Sequence, residues 1–449
     1  MGRDARTLSL WDALRFLWHV AIPGTLLGVV VPNRAIMSRF ARRDRGRRTH
    51  RFIRELRARY RSELLWVWFP FRRTLLVLSP TAIDDVLASG DNAPDPWLKK
   101  RAISRFAPEA LVASGDAAEG NRRTFNTGVL DLGHVHRDAD AFAGIVAGES
   151  RRLVDNGGPA LRWPDFQSLG RRISQQVILG AGRLDDTLDD DLARMLRRAN
   201  LLLRDASSFG DLRRRIETSL APVGAAPPSG CLMHAAARAI AAGDTSPATC
   251  VTSQATFWCF VLKDAVELHV PRTLALIAAH PQVQAKVRDE IRAAGAPTAP
   301  AIDGLRYVEA CLVEQLRLWT PVPLLLRRAV RPSRIGNAGV DTEQQVMIHA
   351  GFHHRDRRVF GRAADAFAPD EAAAGALPAV YVFSAHARSC AGESLVRFVL
   401  KGVLATMLAG HRFELAAPAI APGRIPHLYD HFGIELRAVP DARTAAMRP

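Results

Sequence analysis

Apolar residues recur at helical spacing over long stretches of the chain and alternate with polar residues over a few short ones. The helical spacing predicts helices over residues 51–60, 80–87, 163–179, 252–279, 282–291, 308–319 and 393–407, and a charged helical pair over 189–217. Short apolar or alternating runs predict a β-hairpin from residues 64–69 and 74–78, and a second hairpin over 427–436. Pro271 should interrupt and kink the 252–279 helix. The pattern therefore predicts a mainly α chain with a small β region near the N-terminus.

One cysteine, Cys390, stands where an irregular segment turns into the 393–407 helix. The segment 383–392 reads Phe-Ser-Ala-His-Ala-Arg-Ser-Cys-Ala-Gly. The unpaired amides at a helix N-terminus favour thiolate over thiol, and Arg388 adds a fixed positive charge. Thiolate is the form that binds metals or attacks electrophiles. A buried structural cysteine is the alternative reading at this point.

This segment resembles the haem-binding loop of the cytochrome P450, or haem-thiolate monooxygenase, superfamily. The chain keeps Phe383, Arg388, Cys390 and Gly392 of that pattern, and it has His386 where the family usually has glycine. The resemblance implies the cytochrome P450 fold, mainly α with a small β region, and one haem b. It also implies Cys390 as the axial iron ligand and Arg388 as a partner of a haem propionate, with Phe383 in the cofactor loop.

Three further stretches carry the same resemblance. Glu314 and Arg317 lie on one helix face and are followed by Pro-Val-Pro and Arg327, as in the family's Glu-x-x-Arg helix and the strand after it. The resemblance implies a buried ion pair between Glu314 and Arg317 and a propionate contact for Arg327. Arg122, four residues before Asn126, would contact the other propionate. Glu371 stands where an arginine often completes the ion network, so the network should close differently.

The 252–279 stretch resembles the family's long central helix. Aligned from His280-Pro281, its oxygen-activating pattern falls on residues 261–265, with Asp264 as the acid and Ala265 in place of the hydroxyl residue. The resemblance makes Asp264 a candidate proton relay, although a surface carboxylate paired with Lys263 or Arg272 is equally consistent with the sequence. The expected apolar substrate pocket is lined by Trp97, Phe257, Phe260, Val261, Val322 and Leu324.

Composition narrows the possible partners. The chain has 449 residues and a net charge of +16, but its arginines are spread over the whole length, so nucleic acid is not the expected partner. An anionic membrane surface or an acidic electron-transfer protein fits this charge better. Arg397 and Lys401 are candidates to steer such a protein. The five cysteines show no disulfide or zinc spacing, which suits a reducing, cytoplasmic compartment.

An apolar run, residues 16–33, lacks Asp, Glu, Lys and Arg and is followed by seven arginines before residue 49. It is marginal for a membrane span, which needs about 20 apolar residues. Interfacial membrane contact, a spanning anchor and docking on the protein itself all remain open. We expect residues 1–50 to form an N-terminal extension and residues 51–449 the haem-thiolate domain.

The resemblance implies hydroxylation or a related oxidation of a small apolar metabolite of secondary metabolism, with electrons from a ferredoxin or reductase. Because Ala265 has no hydroxyl, use of peroxide, an oxygen-independent rearrangement or substrate-assisted dioxygen activation is an alternative. A haem-binding or scaffold protein that recruits biosynthetic partners without catalysis is the third possibility. The departures at Leu262, Ala265, His386 and Glu371 motivate it.

Overall fold

The computed structural model is mostly helical. It describes residues 5–28, 30–69, 72–114, 116–200, 229–243 and 249–441, and also residues 210 and 214. The described α-helices are α1 Leu10–Phe16, α2 Ile22–Leu27, α3 Arg34–Arg42, α4 Arg45–Tyr60, α5 Pro80–Ala88, α6 Trp97–Ile103, α7 Asp116–Val129, α8 Ala139–Asn156, α9 Trp163–Leu179, α10 Asp186–Asn200, α11 Leu232–Ala241, α12 Val251–Ala278, α13 Pro281–Ala294, α14 Ala299–Asp303, α15 Arg306–Leu318, α16 Ala350–His353, α17 Arg357–Phe360, α18 Pro369–Ala373 and α19 Glu393–Ala409.

Three small sheets flank the helices. The largest contains β1 Arg6–Thr7, β2 Leu64–Trp68, β3 Arg73–Val77, β4 Asn92–Pro94, β6 Leu325–Ala329 and β9 Gln345–Ile348, in the order β1-β2-β3-β9-β6-β4. A second sheet has the order β10-β11-β5, from His411–Ala417, Glu435–Pro440 and Leu161–Arg162. The third pairs β7 Ser333–Ile335 with β8 Ala338–Val340. The predicted hairpin is confirmed, since β2 and β3 pair antiparallel with Leu65 opposite Leu76.

The central helix, α12, is continuous over Val251–Ala278. It packs against α9, α15 and α19, so most of its side chains are buried. The expected interruption at Pro271 is wrong, because the helix continues through this residue. It does so although proline has no amide hydrogen to donate. Gly170 on α9 permits the closest approach, since a Cβ there would lie 2.8 Å from the Lys263 carbonyl oxygen.

The second predicted hairpin, over residues 427–436, is wrong. His431–Gly433 forms a 3₁₀ turn, and only Glu435–Pro440 is a strand. Its antiparallel partner is His411–Ala417, with Phe413 opposite Ala438. Only residues 435–436 of the predicted hairpin lie in a strand, and the partner of that strand lies farther back along the chain. Of the predicted charged helical pair, residues 201–209, 211–213 and 215–217 lie outside the described residues.

The N-terminal segment is helical from Leu10 to Leu27, with a π-helical turn over Leu17–Ala21. One face packs into a core formed with α4 and the largest sheet, through Phe16, Val20 and Ala21. The opposite face carries six of the ten exposed large apolar side chains of the described chain: Leu10, Trp11, Leu14, Trp18, Ile22 and Leu26. Within the described ranges, no helix is both long and apolar enough to cross a bilayer.

Candidate active site

The cysteine loop, residues 383–392, folds back on itself before α19 begins at Glu393. The Cys390 amide donates to the Phe383 carbonyl oxygen at 2.8 Å, and a 3₁₀ turn covers His386–Arg388. His386 has φ +58, in the left-handed region where glycine is favoured, which explains the glycine of the family pattern. Its ring Nε2 lies 3.1 Å from Asp84 Oδ1, a contact that offsets part of the backbone cost.

The Cys390 thiol lies deep in the protein yet is partly accessible. Burial raises the pKa of Cys390, while an N–H from Gly392 and the charge of Arg123 lower it. Burial is the largest cause of the shift, although the residue as a whole keeps part of its surface accessible. Without a metal the thiol is favoured there, and a coordinated cation would be required to hold the thiolate.

Three arginines gather beside the loop around a single carboxylate. Arg327 is 6% exposed and donates to Ser384 Oγ at 2.6 Å. Arg123 donates to the Ser389 carbonyl oxygen at 3.1 Å and to Glu119 Oε1 at 2.7 Å. Arg388 lies 3.9 Å from the other oxygen of Glu119.

The arginines repel one another. Burial, followed by the charges of Arg388 and Arg123, lowers the pKa of Arg327 to about 10, and Glu119 opposes this shift. Glu119 contacts two of these three guanidinium groups, so the described side chains leave positive charge in excess in this partly buried place. Such an arrangement suits a ligand that carries its own carboxylates.

Arg122, the residue selected from the sequence, points elsewhere. Its Nη1 donates to Ser114 Oγ at 2.9 Å, and its Nη2 lies 3.9 Å from Glu109. Arg123, one position later, is the residue that reaches the cysteine loop. Two adjacent arginines on a helix point about 100° apart, so an error of one residue in register exchanges them. The sequence contained both residues but no signal that ranked Arg123 first.

Glu314 and Arg317 form a fully buried ion pair, with Nε to Oε1 at 2.5 Å and Nη2 to Oε2 at 2.8 Å. Arg317 also donates to the carbonyl oxygens of His354, Ala363 and Ala366 at 2.8, 2.9 and 2.9 Å. Glu314 Oε2 accepts the amide of Ala368 at 2.9 Å. The pair is therefore satisfied by backbone groups, as a buried charge requires.

This frame continues to the cysteine loop. The His354 ring accepts the Tyr381 amide at Nε2 over 2.9 Å, and the Tyr381 carbonyl oxygen accepts the amide of Ser384. Glu371 does not join the pair, since its carboxylate lies 3.5 Å from the exposed Arg362. Main-chain atoms complete the network in place of the arginine that the family pattern often has at position 371. The sequence had predicted that the network closes differently from that pattern.

Asp264, on the central helix, is partly accessible. Burial raises its pKa, and the charges of Lys99, Lys263 and Arg272 oppose the shift. Lys263 instead contacts Glu267 at 3.2 Å and Asp189 at 3.8 Å. Arg272 lies 2.8 Å from His431 Nδ1. The surface-pair alternative for Asp264 is therefore not what the structure contains.

The apolar candidates divide into two groups. Phe260 is buried and meets Phe106 edge-on at 5.7 Å, and Phe257 at 6.2 Å. Phe257, Val261 and Asp264 follow one face of the central helix and are partly accessible. Trp97, Val322 and Leu324 belong to other elements. The Trp97 ring lies under Arg72 at 5.4 Å, and the other two pack against the core clusters beside the largest sheet.

Ala265 and Leu262 are buried on the same helix. Neither side chain offers a hydrogen-bond donor, so the turn that carries Asp264 has no hydroxyl beside it.

The two residues expected to steer an electron donor, Arg397 and Lys401, are engaged in ion pairs within the chain. Arg397 pairs with Glu309 at 2.7 Å and Glu393 at 2.9 Å, and Lys401 is buried against Glu309 at 3.2 Å.

A family model described as Cytochrome P450 matches residues 271–426, which include the Glu314–Arg317 pair, Arg327 and the cysteine loop. Cytochrome P450 4c3 of Drosophila melanogaster is 30% identical over 162 residues, 34% of this chain and 30% of the relative. Cytochrome P450 714A2 of Arabidopsis thaliana is 28% identical over 166 residues, 35% of this chain and 32% of the relative.

Over about a third of its length the chain is similar to the cytochrome P450 superfamily. Cytochrome P450 CYP72A616 of Paris polyphylla adds a match of 27% identity over 175 residues, 37% of this chain and 34% of that protein. The matched part of the chain spans about a third of the length of these curated relatives. Asp264 and Arg123 lie before the matched family segment. The mainly helical architecture with small sheets is that of the cytochrome P450 fold.

Haem b is the cofactor of this family. The residues present fit it, because a partly accessible cysteine, Cys390, lies beside arginines whose charges repel one another. The two haem propionates would supply negative charge there. Arg123, Arg327 and Arg388 would then hold the propionates, and Cys390 would be the iron ligand.

Proposed function

We propose that the chain is a haem-thiolate oxidoreductase of the monooxygenase type that oxidises a small, mainly apolar molecule. The observation that carries the proposal is the juxtaposition of the Cys390 loop with Arg123, Arg327 and Arg388 around the single carboxylate of Glu119. Haem bound there with a thiolate ligand supplies oxidant activation, since the thiolate donates electron density and favours cleavage of the O–O bond.

The residues of the chain have separate tasks in this proposal. Arg123, Arg327 and Arg388 bind the propionates, and the Glu314–Arg317 frame holds the loop through His354. Phe257, Phe260 and Val261 offer apolar surface to the substrate. The Asp264 carboxyl group holds or releases a proton in the interior, since burial raises its pKa.

A second candidate is a peroxide-using or substrate-assisted enzyme of the same class. The buried Ala265 favours it, because no hydroxyl stands beside Asp264 to order a proton-donating water. Turnover supported by ferredoxin, reductase and dioxygen should be compared with turnover supported by hydrogen peroxide. Efficient coupling of reductant to product in the first assay would remove this candidate, and product from peroxide alone would favour it.

The experiment for the proposed function measures haem content and product together. Purified chain should hold about one haem b per polypeptide and show spectral shifts with apolar compounds, followed by an oxidised product with an added electron donor. Haem-free protein after reconstitution would favour the scaffold alternative. Haem-loaded protein that oxidises nothing from a broad apolar library would contradict the enzymatic proposal.

We also propose that the body of the protein is cytoplasmic and rests on an anionic membrane surface through residues 10–26. Trp11 is 67% exposed and Trp18 58% exposed, and both belong to the outward apolar face of the N-terminal helix. The π turn, whose hydrogen bonds span five residues, keeps a four-residue apolar repeat on one face. Tryptophan and nearby arginines suit the interface of an anionic bilayer.

Vesicle flotation tests this placement. Trp11→Ser with Trp18→Ser should weaken binding to vesicles rich in phosphatidylserine by about tenfold, because apolar area is no longer buried in the interface. Val135→Ser, which alters an exposed apolar residue outside the N-terminal segment, is the matched control. Equal binding of all three proteins, or no binding at all, would contradict the membrane proposal.

A further inference from the structure

A pocket of about 640 Å³ lies away from the cysteine loop, between α4 and the segment that follows the His353–His354 pair. Seven arginines and two aspartates line it, together with His50 and His427. The proposed oxidation uses none of these residues. Positive charge gathered in a concave site of this size calls for an anionic ligand.

The helix α4 supplies one wall. Arg47, Arg51 and Arg54 stand at successive helical turns on the same face. Arg51 and Arg54 are exposed and have no ion pair or hydrogen bond among the described residues. They are therefore two guanidinium groups that line the pocket and are available to a ligand.

The opposite wall is rigid. Arg57 is buried in a bidentate pair with Asp356, and Arg355 is 2% exposed and donates to the carbonyl oxygens of Leu318 and Pro426. Asp365 is shared by Arg357 at 3.0 Å and His427 at 3.1 Å. The two aspartates are thus committed to partners that they already hold.

Two buried polar atoms in the lining are left without partners. Nη2 of Arg47 and Nε2 of His50 are both inaccessible to solvent and make no hydrogen bond. Burial, and then His427, lower the pKa of His50 to about 3, so its ring is neutral and can donate from Nε2. Buried donors without acceptors are costly unless a ligand satisfies them.

We propose that this pocket binds a small molecule bearing two or more phosphate groups. The planar fork of arginine matches phosphate oxygens in a bidentate manner, and the rim and floor offer several such donors at once. The volume exceeds that of a single inorganic phosphate. A concave site of about 640 Å³ favours a small ligand over a protein surface.

Calorimetric titration of the haem-loaded full chain with sodium tripolyphosphate tests the site. Sodium sulfate at equal ionic strength measures non-specific anion binding, and inorganic phosphate measures the value of a second phosphate group. Wild-type protein should bind one tripolyphosphate, and the ligand should also raise the thermal unfolding midpoint. Arg51→Gln combined with Arg54→Gln should weaken this binding by about tenfold or more.

Arg43→Gln combined with Arg48→Gln is the charge-matched control, because both arginines are exposed and lie outside the pocket lining. It should change the affinity by less than about twofold. Vesicles bearing a multiply phosphorylated lipid headgroup, used as a second probe, distinguish a membrane source of the ligand from a soluble one. Haem content and the carbon-monoxide spectrum should be the same in both double variants, so failure here is separate from failure of the proposed oxidase.

Three results would overturn the proposal. The first is tripolyphosphate binding no tighter than sulfate, and the second is an equal loss in the two double variants. The third is an acidic ferredoxin whose binding depends on Arg51 and Arg54 while tripolyphosphate does not bind, since that would make the pocket part of a protein interface.

Discussion

Replacing Arg317 by lysine should destabilise the protein strongly while preserving the charge. The Arg317 guanidinium is fully buried and makes two contacts with Glu314 and three with main-chain carbonyl oxygens. A lysine ammonium has three donors, without the planar fork, so at least two of these acceptors lose their partner. Each unsatisfied buried acceptor costs about 1–3 kcal/mol. We therefore expect a loss of about 3 kcal/mol or more in the free energy of unfolding.

The assay is urea unfolding followed by far-ultraviolet circular dichroism, with haem content measured on the same samples. Because Arg317 holds the His354 carbonyl and the His354 ring holds the Tyr381 amide, the variant should also retain less haem. Arg362→Lys is the control, since Arg362 is 91% exposed and pairs with Glu371 at 3.5 Å. It should change the free energy of unfolding by no more than about 0.5 kcal/mol. A change below about 1 kcal/mol in Arg317→Lys would refute the reasoning.

Three further predictions concern other parts of the structure. Arg123→Gln should speed transfer of haem to apomyoglobin by about tenfold, while Arg122→Gln should have a smaller effect, and the reverse order would contradict the geometry. Burial raises the pKa of Glu267 from 4.5 to about 7, so the folded state binds the proton more tightly and stability falls as pH rises through that range. Between pH 4.5 and 7, Glu267→Gln should reduce this loss in the free energy of unfolding by about 3 kcal/mol, measured by urea unfolding. A pH profile equal to that of the wild type would refute this prediction. Gly170→Ala should cost about 1–3 kcal/mol in the same assay because its Cβ would meet a backbone carbonyl oxygen at 2.8 Å, whereas Gly144→Ala, with open space, should cost nothing.

Long periodic helices were predictable because their apolar spacing and end signals agree. The helix Trp163–Leu179 has the predicted bounds, with Pro164 in its first turn and Gly180 immediately after it. The helix Ala139–Asn156 was not predicted, since alanine and valine make up most of its buried face and contrast weakly with the alanine and glycine on its exposed face. The continuity of the central helix through Pro271 is set by the surrounding packing, which a local rule does not contain.

The candidate site was predictable where the sequence carries a linear signature. Cys390, Arg388 and Arg327 lie at fixed positions within short motifs, and the structure brings them together with Ser384 and Ser389 between them. Arg123 was missed because the choice between neighbouring helical residues depends on the rotation of the helix. Lys99, which acts on the pKa of Asp264, comes from the short helix α6, whose position relative to the central helix only tertiary packing determines.

Glu119 shows the same limit on linear motifs. It stands four residues before Arg123, one turn earlier on the same helix. Its carboxylate bridges Arg123 and Arg388, which the sequence alone did not suggest. The pairing became visible only when the helix α7 and the cysteine loop were placed side by side.

The absorption spectrum of the reduced, carbon-monoxide-bound protein tests most directly whether Cys390 is the iron ligand. It should be recorded for the wild type, for Cys390→Ala, and for Cys250→Ala, a change at a partly exposed cysteine outside the site. We expect the red-shifted Soret band of thiolate-ligated haem in the wild type and in Cys250→Ala, and its loss in Cys390→Ala. A red-shifted band that survives in Cys390→Ala, or a wild-type spectrum of imidazole-ligated haem, would contradict the account.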